Sequence, residues 1–344
     1  MDKRCILVLP YFGKFKNYFK MFLMSCGSND KIDWLIISDQ KCPVNYKNIR
    51  WLNMEFFEFR LLVQKKFNFK ISLETPYKLC DYKPAYGYIL EDYIKGYDYW
   101  GHCDCDLIFG NLNKMLVPLL NQNYDKMFAA GHLTIYKNTY ENNRRFMNKS
   151  EKGVSLYNVA FSNKNIFGFD EDYYQENVHV LFQNNQCKIF DEDLSFNIST
   201  KFYNIFREYY NFKKHIWETE LLGTNLLIWD GRNVFNFSRH KGELRKKSYL
   251  YAHLQMRNMK NTLFPNQNCY VKICPENFEK ISNLPEKLIE WKQEKKLYFS
   301  FEILKRFLRE RYYTVKSLGK SVKDIDSYND FYKFLIWGRD NDDF

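Results

Sequence analysis

Short apolar runs alternate with polar, helix-like stretches over the first sixty residues. CILVLPYF (5–12) reads as a buried strand, NYFKMFLMSCGS (17–28) as an amphipathic helix, and DWLIISD (33–39) as a second strand ending at Asp39. NIRWLNM (48–54) reads as a third strand. This order predicts a parallel sheet with helices on its faces. Ligands of such sheets collect at the carboxyl ends of the strands, which is where Tyr11, Phe12, Gly13 and Asp39 fall. Pro84 at a first turn predicts a helix over 84–95, ended by Gly96. YDYWGHCDCDLIFG (97–110) then reads as a strand running into a turn. FAAGHLTIYKN, KIFDEDLSF, LLIWDGRNVFNF and SYLYAHLQM add aromatic-rich strand patterns, so a mixed sheet is expected to continue to about residue 260.

From Pro285 the pattern becomes helical and basic. Between 286 and 320 ten Lys and Arg stand against five Glu, about half of the net charge of +11. A basic helix carrying aromatic and leucine residues can lie in a membrane interface. The division expected is therefore a catalytic domain over 1–265 and a basic, mainly helical extension over 266–344. Peripheral contact with an anionic membrane through those helices is expected as well.

Composition narrows the classes. Hydrophobic residues at 45% and charged residues at 27% exclude a wholly disordered chain, and 14 Gly with 8 Pro among 344 residues exclude collagen-like architecture. No 18-residue apolar run is present, so no spanning helix is expected. The apolar stretch after MDKRC is too short for a secretory signal and reads better as a first strand, which points to a cytoplasmic protein, peripheral at most on the inner membrane face. The nine cysteines form no C-x-x-C pair and no zinc-finger spacing, and read as reduced thiols. The positive balance favours anionic partners without choosing among them. Phosphate-cradling and dinucleotide glycine motifs and a serine nucleophile elbow are absent. A nucleic-acid-binding protein is the alternative that net charge and 19% aromatics leave open. It is set below an enzyme because the bases concentrate in one tail and no nucleic-acid-binding signature is present.

The sharpest chemical feature is WGHCDCDLIFG (100–110). In an extended segment Asp104 and Asp106 share one face, because side chains alternate with period two. Both can then approach one hard cation. Mg²⁺ or Mn²⁺ held by such carboxylates neutralises the diphosphate that leaves when a sugar nucleotide is cleaved. For a hydroxyl acceptor, inverting transfer also needs a general base. The acid clusters that could supply it are Asp170 and Glu171 in FGFDE and Asp191, Glu192 and Asp193 in IFDED. Whether transfer inverts or retains stays open at this level.

The stretches ILVLPYFGKFKNYFKMFLMSC, YKLCDYKPAYG, WGHCDCDLIFG, AAGHLTIYKN, FGFDE and YLYAHLQMRNMK resemble bacterial glycosyltransferases of capsule and O-antigen biosynthesis, over about residues 4–260. The resemblance implies a GT-A-like α/β fold, a mixed sheet flanked by helices, followed by the helical extension. It implies a UDP-sugar donor, Mn²⁺ or Mg²⁺, and a glycan or lipid-linked glycan acceptor, with no nucleic acid as partner. Galactose, galactofuranose and glucose are the sugars it brings forward. It gives Asp104 and Asp106 to the metal and diphosphate, with His253 as a third ligand and Arg257 and Lys260 over the diphosphate. Pro10, Tyr11, Phe12 and Gly13, with Asp39, would hold the nucleoside, and Lys78, Asp81 and Lys83 the donor sugar or its phosphates. FGFDE matches the family block, which favours Asp170 and Glu171 as catalytic acids, and His132 is expected to line the acceptor pocket.

Overall fold

A computed structural model describes residues 2–171, 177–214, 216–220, 225–255, 257–263 and 269–298. The chain divides into two compact units: Met1–Ser199 with Ile205–Lys296, and Thr200–Asn204 with Leu297–Phe344. In the second, Asn204 holds the backbone of Tyr298 through both its amide oxygen and its amide nitrogen. The basic helical pattern expected beyond Tyr298 lies outside the described residues.

Among the described residues the first unit carries seventeen strands in three sheets. The first sheet contains β1 (Cys5–Pro10), β2 (Ile32–Ser38), β3 (Ile49–Asn53), β4 (Tyr99–Cys103), β6 (Lys126–Met127), β7 (Leu133–Lys137) and β8 (Ile189–Phe190). Their order is β3-β2-β1-β4-β7-β6-β8. The four strands from β3 to β4 run parallel, while β7 is antiparallel to both β4 and β6. The continuous apolar runs of β1 and β2 follow from this, since central parallel strands are covered on both faces. Ile6, Leu7, Val8, Trp34 and Ile36 are all fully buried. The helix expected over 17–28 forms as Phe19–Gly27 and buries Phe22 and Leu23. The mixed α/β class predicted from the sequence is thus the class observed.

A single continuous sheet to residue 260 does not form. A second sheet joins β5 (Leu107–Phe109), β9 (Ser195–Ile198), β10 (Arg207–Asn211), β11 (Ile216–Thr219) and β15 (Tyr251–His253), in the order β11-β10-β9-β15-β5. A third, antiparallel sheet orders β14 (Glu243–Tyr249), β13 (Val234–His240), β12 (Leu226–Trp229), β16 (Tyr270–Ile273) and β17 (Phe278–Ile281). Tyr270–Ile273 and Phe278–Ile281, which fall in the extension expected to be mainly helical, are therefore strands that complete this sheet. The helix Leu288–Glu294 follows, with buried Trp291 donating its indole N–H to the Phe237 carbonyl at 3.0 Å. Among the described residues no helix is long and apolar enough to cross a membrane.

The helix expected over 84–95 is also broken up. Lys83–Ala85 form a 3₁₀ turn, Tyr86–Ile89 a single α-turn, and Leu90 leaves helical geometry at φ −110° and ψ 26°. Packing overrides propensity here. Gly87 lies against the Trp100 ring so closely that a Cβ would come within 2.2 Å of it. That ring cannot yield, being stacked on Tyr136 at 4.6 Å and bonded through its N–H to Asn143 at 2.7 Å.

Candidate metal centre

The Asp-x-Asp segment is not an extended strand. β4 ends at Cys103, β5 begins at Leu107, and Asp104–Asp106 turn from the first sheet into the second. The turn is anchored on both sides: the Asp104 N–H donates to the His132 carbonyl at 3.0 Å, and the Asp106 carbonyl accepts from the Leu254 N–H at 2.9 Å. A turn brings the two carboxylates together where simple alternation was expected to do so.

Strand register supplies the third group. β15 runs antiparallel to β5, pairing His253 with Leu107, the neighbour of Asp106. One carboxylate oxygen from each of Asp104 and Asp106 and one ring nitrogen of His253 all lie within 4.8 Å of one another. The His253 Nε2 is 3.3 Å from Asp106 Oδ1. On its other side β15 runs parallel to β9, pairing His253 with Asn197, and the His253 Nδ1 sits 2.8 Å from Asn197 Oδ1. An amide oxygen can only accept, so Nδ1 carries the proton and Nε2 is left to face the carboxylates. Asp104 is the most open of the three, its side chain 32% exposed against 16% for Asp106 and 9% for His253, so an incoming ligand meets it first.

Two carboxylates and an imidazole suit Mn²⁺ or Mg²⁺ better than a thiolate-seeking ion. The surroundings fit a cation as well. Four acids (Asp104, Asp106, Asp170 and Glu171) gather around one lysine, Lys83, whose ammonium is 2.7 Å from Asp104 Oδ1, 3.0 Å from Asp170 Oδ2 and 3.0 Å from the Gly131 carbonyl. Burial opposes a charge on His253, yet the neighbouring Asp106, Asp104 and Glu171 outweigh it and raise its pKa above 6.5. Burial likewise opposes ionisation of Asp106, and His253 outweighs it, holding that carboxyl below its ordinary range. A metal here would compete with a proton for the His253 Nε2.

The other residues singled out from sequence divide sharply. Asp170 is buried; burial pushes its carboxyl up to about 7, against the pull of Lys83 and with a further push from Glu171. Glu171 is half-buried, and burial raises its pKa as well, again against Lys83. Of the pair only Glu171 is open to a substrate, so Asp170 is corrected from a catalytic acid to the buried counter-ion of Lys83. Both crowd Gly131, where a Cβ would fall 2.3 Å from Asp170 Oδ2. Lys83 grips the Asp104 carboxylate itself. Lys78 and Asp81 are withdrawn from any donor contact by burial: they pair with each other at 2.6 Å, with side chains 3% and 0% exposed.

In the first-strand loop, Phe12 is corrected from a nucleoside-holding residue to a core residue packed on Phe56 and Phe59, and Pro10 is buried at the end of β1. Tyr11 stays partly exposed, its hydroxyl donating to the Lys14 carbonyl at 2.9 Å. Burial raises that hydroxyl's pKa, and Cys105, Asp39 and Asp106 add to the effect. Asp39 accepts the Gly13 N–H with both oxygens, at 3.0 and 3.1 Å. Arg257 spends its guanidinium on the carbonyls of Pro275 and Ser199, each at 3.1 Å, and Lys260 pairs with Glu276 at the surface. Neither reaches the cluster, because other partners hold them.

His132 sits between β6 and β7, buried, with its ring 4.4 Å from that of His253. Burial, His253 and Lys83 together drive its pKa well below 6.5, so it is neutral. Sequence reasoning missed Asn197, and also Tyr18 and Tyr77. Burial raises the pKa of Tyr18, with Cys105 and Asp106 adding to the effect, whereas Tyr77 is an exposed ring within range of the Asp104 and Glu171 charges. Only strand register could have found Asn197, since it lies 56 positions from its partner. An Asn197→Ala protein is expected to bind Mn²⁺ about 10–100-fold more weakly by isothermal titration, with Asn197→Asp retaining affinity. Equal affinity in all three proteins would remove Asn197 from the centre.

No curated protein matches this sequence. Among solved structures, the chain is similar to the galactosyltransferase LgtC in complex with donor and acceptor sugar analogs, at 10% identity over 56% of this chain and 75% of that one, with a TM-score of 0.32. It is also similar to the apo form of the glycosyltransferase GlyE of Streptococcus pneumoniae TIGR4, at 10% identity over 57% of this chain and 47% of that one, also with a TM-score of 0.32. Likenesses this remote carry no argument about activity. At the level of sequence, a profile matches residues 7–282, and by that match the chain belongs to the family of unknown function DUF6625.

Proposed function

We propose that this protein is a metal-dependent glycosyltransferase, moving a hexosyl unit from a UDP-sugar to a hydroxyl of a surface-polysaccharide intermediate of the capsule or O-antigen kind. The observation that carries the reading is the convergence of Asp104, Asp106 and His253 within 4.8 Å, with Lys83 clamped to Asp104. A divalent ion held by those three residues would neutralise the charge of the departing diphosphate. Lys83 fixes the Asp104 carboxylate so that it need not reorganise during the reaction. Tyr11, which follows β1, would stack on the nucleobase near Asp39, which follows β2. Glu171 takes the proton of the attacking hydroxyl, as the acid of its cluster that substrate can reach. Galactose, galactofuranose and glucose donors are the first to assay.

Thermal denaturation tests the reading directly. UDP with Mn²⁺ is expected to raise the melting temperature, while UDP with a chelator or Mn²⁺ alone should raise it less. A UDP effect indifferent to metal would defeat the proposal. The base assignment has its own signature. Glu171 must be ionised to accept a proton, and burial holds its pKa above 4.5. Turnover should therefore climb with pH along a limb displaced upward from the ordinary glutamate range and then level off. In Glu171→Gln that limb should vanish together with most of the rate, by about 10²–10⁴-fold. A limb that survives the substitution belongs to another group.

A further inference from the structure

Among the described residues, β14 is the last strand of the third sheet and pairs with β13 alone. A strand with one face in a core alternates buried and exposed side chains, yet Arg245, Lys246, Lys247 and Ser248 are exposed in succession. The hairpin closes tightly: His240 pairs with Glu243, and Lys241 and Gly242 turn between them at φ 47° and 89°. Two-residue turns with positive φ at both positions favour Asn or Gly first, and here an exposed lysine takes that place. From Ser238 to Ser248 five exposed bases (Arg239, Lys241, Arg245, Lys246 and Lys247) stand with one exposed acid, Glu243.

Charged side chains on an edge strand guard it against pairing with another sheet. That role accounts for charge on β14. It does not account for Lys241 in the turn, nor for a field of one sign where soluble surfaces intersperse both. An apolar tip stands beside the bases. The helix Leu288–Glu294 packs on β13 through Trp291, which shares a buried cluster with Phe237, and it leaves Ile289 65% exposed. Lys246 lies on this side of the sheet, its ammonium 3.9 Å from the centre of the Phe235 ring. An anionic lipid surface takes up both kinds of group, bases at the headgroup phosphates and an aliphatic side chain at the acyl boundary. A nucleic acid would draw on the charges but stack its bases on aromatic rings, and Ser238–Ser248 contains no Phe, Tyr or Trp.

We propose that the β13–β14 hairpin, with Ile289 beside it, docks the protein on anionic lipid bilayers. The surface belongs to the first compact unit and is distinct in sequence from the basic stretch beyond Tyr298. It is independent of the glycosyl-transfer reading. Co-sedimentation of the full-length protein with vesicles tests it. Phosphatidylcholine vesicles containing phosphatidylglycerol should bind the protein, phosphatidylcholine alone should not, and binding should fall as salt is raised. Each base near such a surface strengthens binding about fivefold. Arg245→Gln with Lys247→Gln should therefore weaken it about 25-fold at an unchanged circular dichroism spectrum. Glu243→Gln, which removes the acid and no base, should strengthen it about fivefold, whatever the folding of the double variant. Equal binding to the two vesicle types would overturn the proposal, as would a Glu243→Gln protein that binds no tighter. Wild-type binding by the double variant would overturn it by assigning the attraction to the tail. Single-stranded RNA bound more tightly than the vesicles, and lost in the double variant, would make the hairpin a nucleic-acid surface instead.

Discussion

An Asp106→Asn protein will fold normally and lose metal-dependent donor turnover by about 10²–10³-fold. The substitution keeps the size of the side chain and the backbone bond from Leu254 to the Asp106 carbonyl, so the turn between β4 and β5 has no reason to open. What it removes is one of the two negative charges within ligand distance of His253. It also withdraws the foremost of the acids that together outweigh burial in raising the His253 pKa, so the imidazole becomes easier to deprotonate while the cation loses an anionic ligand. The two effects separate in experiment. Mn²⁺ affinity by titration should fall, whereas the circular dichroism spectrum and the metal-free melting temperature should hold. Retention of full UDP-sugar hydrolysis by a well-folded Asp106→Asn protein would end the case for the enzyme.

The second large effect is on stability. Lys78→Met is expected to lower the free energy of unfolding by about 3–5 kcal/mol, since removing one partner of a buried ion pair leaves the other uncompensated. Lys78 and Asp81 pair at 2.6 Å with almost no exposure of either side chain. Asp81 in addition accepts the backbone N–H groups of Phe167, at 3.0 and 3.1 Å, and Phe169, at 3.2 Å, while Lys78 donates to the Asn165 carbonyl. The pair thus fastens the 165–169 segment that delivers Asp170 and Glu171 to the site. Urea unfolding should show the loss as a lower midpoint at unchanged slope. A shift below about 1 kcal/mol, the range of exposed ion pairs, would mean the pair is solvated in solution.

Much of the frame was legible because burial on both faces writes itself as uninterrupted apolar runs. β1 and β2 fall where CILVLP and DWLIIS lie, and α/β alternation follows from them. Asp104, Asp106 and His253, named as a ligand set from motif and resemblance, are brought together by the fold. What failed to show was whatever depends on pairing between distant segments. The passage from first sheet to second at Asp104–Asp106 leaves no periodic trace, since CDCD alternates as well in a turn as in a strand. Lys78 and Asp81 looked like ligand contacts because charged side chains are seldom fully buried, and nothing local marks the exception. Phe12 and Tyr11 are adjacent and both aromatic, yet opposite orientation sends one into the core and leaves the other at the mouth.

The turn at Asp104–Asp106 belongs half to one sheet and half to the next, while His253 is held wholly by the second. An ion gripping Asp104 and His253 together would act as a rivet across that seam. Occupancy and mechanical coherence then become a single quantity. Chelation should loosen amide protection along β4 and β15 in concert, and a protein prepared without divalent salts should be more easily clipped by proteases near the join.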